Sequence, residues 1–263
     1  GEVESMSGVV EREEVSLQAA MVESMRGQPL VTDRIPLLGQ GLQEWEGVPQ
    51  LQIKMLQLAQ LYPALRKVRG DGNCFLRAFV VGMLENLILR RNDYVNQFLF
   101  NSVQDSLATV INAGFEEAVA SDLHFHLMTQ LTAIQTDSLS VPQLIENFQE
   151  YTSNYSVSFL RLLMSAYIQQ HEEDFVPFVR PDMTVPQFCK TVVESPDTEC
   201  GEIHIIALTR SLDVGIRIQY LDASPSDLVT HCYHEDCEVG VVCTLLFKPG
   251  HYDLLCEEDL PPE

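Results

Sequence analysis

The chain has 263 residues, 46% of them hydrophobic, and a formal net charge of −22 from 38 acidic and 16 basic residues. That length and apolar content suffice for a substantial core in one domain, with or without an appendage. The acidic balance excludes nucleic acid, whose binders need a basic footprint, and speaks against an anionic membrane surface.

Residues 1–16 are acidic and poor in apolar periodicity, which predicts a mobile tail. Neither a basic leader nor an apolar signal core marks this end, and no apolar run is long enough for a membrane span. From Leu17 to about Leu65, helical stretches are broken by Gly27, Pro29, Pro36, Gly39, Gly41, Gly47 and Pro49. Within them, Met55, Leu56, Leu58, Ala59 and Leu61 predict a helix that packs onto the core ahead of Pro63. Asp71-Gly72-Asn73 is turn-forming, and the proline-free, largely apolar run from Phe75 to Leu89 predicts a buried helix entered at Cys74.

Val103, Leu107, Val110 and Ile111 recur at helical spacing and stop at Gly114. Leu123, Leu127, Met128 and Leu131 predict a further helix. His124 and His126 in that helix point to different faces, so they read as packing or solvent-facing residues and not as a shared metal site. Thr184-Val185-Pro186-Gln187 has capping-box spacing and opens a helix containing Cys189, read as a buried structural thiol. Val214, Ile216, Ile218 and Tyr220 alternate with polar or small residues, predicting a strand with one buried face. A second strand runs from Val241 to Phe247, turns at Pro249-Gly250 and continues through His251 to Leu255. Helices first and strands last predict an α+β or α/β sandwich, not a doubly wound sheet.

Two segments carry candidate chemistry. His251 and Asp253 lie two apart on an extended segment, so their side chains share a face with alpha carbons roughly 6.5 Å apart. An imidazole held by a carboxylate in this way can take the proton of a cysteine nucleophile, which attacks as thiolate. At a helix N-terminus, Cys74 would feel the positive end of the dipole, and free N–H groups of the first turn would face an oxyanion. Taken alone, however, Cys74 reads more readily as a buried, inert thiol. His204 competes for the role of base, but it has no carboxylate two positions away and apolar neighbours in Ile203, Ile205 and Ile206, so it reads as structural.

The wider pattern changes the weight of Cys74. The run Arg69-Gly70-Asp71-Gly72-Asn73-Cys74-Phe75-Leu76-Arg77-Ala78-Phe79 closely resembles the nucleophile motif of the ovarian-tumour (OTU) cysteine proteases, and Pro249-Gly250-His251-Tyr252-Asp253 resembles their histidine motif. Tyr155 to Tyr167 (YSVSFLRLLMSAY), Gln187-Phe188-Cys189, Ile203 to Leu208 (IHIIAL) and Pro29-Leu30-Val31 followed by Asp33-Arg34 resemble the otubain branch in particular, so the resemblance runs from about Leu17 to Leu255.

That resemblance implies a papain-like OTU fold, α+β, with a central, mainly antiparallel sheet flanked by helices. One catalytic domain would span 17–257, including an N-terminal helical ubiquitin-binding part, with tails at 1–16 and 258–263. It implies a deubiquitinase in which Cys74 is the nucleophile, His251 the general base and then acid, and Asp253 the residue that orients it. Asp71 matches the active-site aspartate that shapes the oxyanion loop. The implied partners are ubiquitin and polyubiquitin chains. A ubiquitin-conjugating enzyme is the rival partner, because one otubain docks such an enzyme through its N-terminal segment. The enzyme is expected to work as a monomer, without cofactor or metal. Two departures stand out: Leu76 replaces an aromatic common among relatives, and Gly201-Glu202 stand where otubains often carry Asp-His.

The seven cysteines are odd in number and lack a small-scaffold spacing, which points to reduced thiols in the cytosol and leaves the nucleus open. His231-Cys232-Tyr233-His234-Glu235-Asp236-Cys237 has the residue types of a zinc ligand set. Its donors are crowded into one short loop with no second pair at a finger-like distance, so no metal is expected there.

Overall fold

The computed structural model describes residues 27–44, 47–150, 153–224 and 227–257. The two expected tails, at 1–16 and 258–263, lie outside these residues.

The organising element is helix α2 (Cys74–Arg90), numbered after α1 (Pro49–Leu61). Nearly every residue of α2 from Cys74 to Leu84 is apolar and fully buried, as a helix needs when it is covered on all sides. On one side it lies against the strands β5 (Val241–Lys248) and β6 (His251–Cys256). Gly82 sets that closeness: a Cβ there would sit 2.6 Å from Leu254 Cδ1 and 2.8 Å from Cys243 Cβ. On its other side α2 meets α4 (Glu117–Gln135), α5 (Val141–Asn147) and α6 (Ser153–Gln170). Helix α3 (Asp93–Asn112) and helix α7 (Glu202–Leu212) pack in turn on α6. The expected helices at 103–111 and 123–131 are α3 and α4, and the capping box at Thr184 opens a short helix, Val185–Phe188, that runs into a π turn holding buried Cys189.

Among the described residues, six strands form one sheet in the order β1-β2-β6-β5-β3-β4, with β1 at Ile35–Pro36, β2 at Ala64–Arg66, β3 at Gly215–Tyr220 and β4 at Val229–Tyr233. All pairings are antiparallel except β3 with β5, so the sheet is mainly antiparallel with one parallel step. Successive residues on a strand face opposite ways. Leu245 and Leu254 therefore join the large core beneath α2, while Leu246 and Leu255 join a smaller one with Leu37, Leu51, Met55 and Leu58 under α1. The helix expected ahead of Pro63 thus covers the second face of the sheet.

Strands β1, β2 and β4 were not foreseen, because runs of two, three and five residues hardly display alternation. His231, Cys232 and Tyr233 accordingly belong to β4 and not to a loop. β3 is also more buried than its alternation suggests: Gln219 is enclosed, bonded to the Tyr62 hydroxyl and the Thr230 hydroxyl. Among the described residues no helix is long and apolar enough to cross a membrane.

Candidate active site

The path of the chain after β2 brings the two motifs together. β2 pairs with β6, and the backbone continues alongside it, so the Val68 N–H reaches Asp253 Oδ1 at 2.9 Å and Gly70 passes beside His251. A side chain at Gly70 would put its Cβ 3.4 Å from His251 Nδ1. The chain then turns at Asp71-Gly72-Asn73 and enters α2 at Cys74, which is 4% exposed.

That turn is clamped from several sides. Asp71 accepts the Asn73 N–H at 3.1 Å and takes a two-pronged ion pair from the fully buried Arg77, at 2.9 and 2.8 Å. Gly72 has φ +81, and any Cβ would fall 2.1 Å from the Asp197 carbonyl oxygen, so glycine is required twice over. Asn73 donates to Asp197 Oδ1 at 2.8 Å and accepts from Arg161 at the same distance. Buried Arg161 also donates to the carbonyls of Gly72, Val193 and Thr198. With the Asn73 N–H engaged by Asp71, the first-turn N–H groups beginning at Cys74 are the ones without an intrahelical acceptor. Groups of this kind can stabilise an oxyanion that forms beside them.

The imidazole comes from the β5–β6 hairpin. Pro249 and Gly250, the latter at φ +76, make a two-residue turn that sets Lys248 opposite His251. His251 Nε2 donates to Asp253 Oδ1 at 2.9 Å, and the Cys74 thiol is the other group whose influence the ring feels. With Nε2 committed to the carboxylate, Nδ1 is the nitrogen left for sulfur. Burial works against the imidazolium, but hydrogen bonds and charge from Asp253 and Cys74 outweigh it and raise His251 to about 9. Asp253 is wholly buried and forms an ion pair with Lys248 Nζ at 2.7 Å; burial alone would raise its pKa, but His251 and Lys248 hold it below the usual carboxylate value. Lys248 is itself steadied by Glu44 at 3.6 Å.

The competing groups sort themselves out. Buried His204 accepts the Gly201 N–H on Nδ1, its Nε2 has no hydrogen-bond partner among the described residues, and burial pushes it down to about 4. It stays neutral with no carboxylate behind it, which suits a structural residue better than a base. Burial pushes the Cys189 thiol up to about 11 and the Cys200 and Cys256 thiols up to about 12, so none of these supplies thiolate near neutrality. His124 is buried against the Val103 carbonyl. Leu76 is fully enclosed, so its departure from an aromatic is a matter of packing, and Gly201-Glu202 open α7.

The structure therefore brings together Cys74, His251, Asp253 and, one turn away, Asp71. Sequence reasoning missed Lys248, Arg77, Arg161 and Asp197. Lys248 lies one residue before the histidine motif and could have been found from the two-residue hairpin. The partners of Arg161 are 88, 89, 32 and 37 positions away, and no local pattern announces them.

The family described as peptidase C65 otubain matches residues 23–257. Ubiquitin thioesterase OTUB1 of Homo sapiens is 36% identical over 232 residues, covering 86% of this chain and 83% of the relative. An Arabidopsis thaliana protein, ovarian tumor domain-containing deubiquitinating enzyme 1, is 32% identical over 86% of this chain and 80% of its own length. Among solved structures, the h/ceOTUB1–ubiquitin aldehyde–UBC13~Ub complex contains a chain that superposes with a TM-score of 0.83 at 25% identity, over 95% of this chain and all of that one. A matching h/ceOTUB1 complex with UBCH5B~Ub gives the same score.

Proposed function

This chain belongs to the peptidase C65 otubain family, and we propose that it is a deubiquitinating cysteine protease whose Cys74, His251 and Asp253 hydrolyse the isopeptide bond after the C-terminus of ubiquitin. The observation that carries this reading is the His251 ring, held on Nε2 by a buried carboxylate and influenced by the Cys74 thiol at a helix N-terminus.

Cys74 sulfur attacks the carbonyl carbon of the terminal glycine, forming a C–S bond while the carbonyl electrons move onto oxygen. The N–H groups at the start of α2 receive that charge without having to reorient, because Asp71, Arg77 and Arg161 already fix the preceding turn. His251, charged through the proton gained from the thiol, protonates the departing lysine amine. It then takes a proton from the water that attacks the thioester, and ubiquitin leaves as its carboxylate with the thiol restored. Asp253 fixes ring and tautomer, and Lys248 keeps that carboxylate ionised. The two glycines that end ubiquitin need a narrow channel, and Gly70 beside His251 leaves such room on one wall. A reducing intracellular compartment, the cytoplasm and also the nucleus, suits seven free thiols.

Incubation with a panel of differently linked di-ubiquitins tests the activity. Release of mono-ubiquitin by the wild type and none by Cys74→Ala is the expected result. Equal release by both proteins would overturn it. A second reading, docking of a ubiquitin-conjugating enzyme without cleavage, draws on the h/ceOTUB1 structures, which contain UBC13~Ub and UBCH5B~Ub. An effect on conjugation that survives Cys74→Ala would favour docking.

A further inference from the structure

Outside the active site, the junction between α7 and β3 touches the turn between β4 and β5. Gly215 donates its N–H to the Gly240 carbonyl at 2.9 Å, and a Cβ on Gly215 would lie 2.9 Å from that oxygen and 3.2 Å from the His234 carbonyl oxygen. The two backbones are therefore in direct contact. Asp213, which ends α7, and His234, which follows β4, both have φ of 54. Their side chains meet with His234 Nε2 at 2.6 Å from Asp213 Oδ1. Cys237 closes the group, so that one carboxylate oxygen, one imidazole nitrogen and one thiol sulfur all lie within 4.8 Å of one another.

Along the sequence, the donors between 231 and 237 are crowded into one short stretch. The fold changes that set twice. It removes His231, whose ring packs on Tyr220 with centroids 4.8 Å apart, and Cys232, which lies in β4 opposite Arg217 of β3 and apart from the other donors. It adds Asp213, 21 positions before His234 and on a different element. The result is a set of donors brought together by tertiary structure, with separated anchors that the loop alone does not supply.

We propose that Asp213, His234 and Cys237 form a zinc site, with water as the fourth ligand. A mixed nitrogen, sulfur and oxygen set suits zinc, which takes these donors at about 2.0–2.3 Å in tetrahedral geometry. Such an ion spaces its ligand atoms by about 3.3–3.6 Å, so the Asp213–His234 pair opens by under an ångström and Cys237 closes in. The side chains of Asp213 and His234 are 50% and 33% exposed, which leaves them free to adjust and gives the ion a path in. On binding, the Cys237 thiol loses its proton to solvent and its sulfur bonds the metal; His234 coordinates as neutral imidazole, and no electron is transferred. Zinc here staples the end of α7 to the β4–β5 turn.

The test is titration of the full chain with Co(II), following the thiolate-to-cobalt charge-transfer band, and then with zinc. One equivalent should bind and give the band, zinc should bleach it, and Cys74→Ala and Cys232→Ser should retain it. Cys237→Ser should abolish it. Zinc affinity, read by competition with a chromophoric chelator, should fall at least about tenfold in Asp213→Asn and His234→Gln. No band in the wild type, a band that survives Cys237→Ser, or one lost in Cys74→Ala would each overturn the proposal. If Cys237→Ser melts lower than the wild type without metal, the affinities of Asp213→Asn and His234→Gln decide the matter: unchanged values overturn it.

Discussion

His251 carries two opposed demands, since burial disfavours its charge while Asp253 and Cys74 favour it, and the second effect wins. Raised to about 9, the ring holds its proton through neutrality and gives it up only in mildly alkaline solution. That proton is needed by the leaving amine, so kcat/KM on an isopeptide substrate should fall as pH rises through about 9. The apparent value belongs to the coupled Cys74–His251 pair. Lys248 competes with His251 for the charge of Asp253, at 2.7 Å against 2.9 Å. Lys248→Met should therefore move the alkaline limb upward, and Lys248→Arg should restore it. A limb unchanged in Lys248→Met would show that the cation does not reach the imidazole. Asp253→Ala, which frees the ring to turn, should lower kcat by about 10²- to 10⁴-fold in the same assay.

At the scale of elements, the site depends on how closely α2 approaches β5 and β6. Gly82→Ala forces a methyl group into Leu254 and Cys243, and overpacking of this kind costs about 1–3 kcal/mol. Denaturant unfolding should show that loss, together with a lower kcat, because β6 carries His251 at one end and Leu254 nearer the other. An unchanged midpoint would mean that the helix and sheet separate without cost. Helices α1 to α4 and the β5–β6 hairpin were legible in the sequence because each repeats its signal over many residues or ends in a recognisable turn, whereas α6 and α7 were met only as family motifs and not read as helices. β1, β2 and β4 are too short for that. The clamp around Gly72 was invisible for a different reason: Arg161 and Asp197 reach it across 89 and 124 positions, and only the folded chain brings them near. The motifs around Cys74 and His251 could be read as two segments; the sequence could not say which groups hold them in place.

For the whole molecule, the charge of −22 produces a long-range field. Ubiquitin presents a basic face, so this field should speed encounter and weaken with salt. Raising ionic strength from about 0.02 M to about 0.2 M shortens the screening length severalfold, and kcat/KM should fall while kcat stays level. If neither changes, the acidic surface serves solubility alone. The central claim is that Cys74 is the nucleophile toward the ubiquitin C-terminus, and the most direct measurement is intact-protein and peptide mass spectrometry after exposure to ubiquitin bearing a C-terminal electrophile. The account predicts a single adduct, mapped to Cys74 and absent in Cys74→Ala. No adduct, or one on another of the seven cysteines, would contradict it.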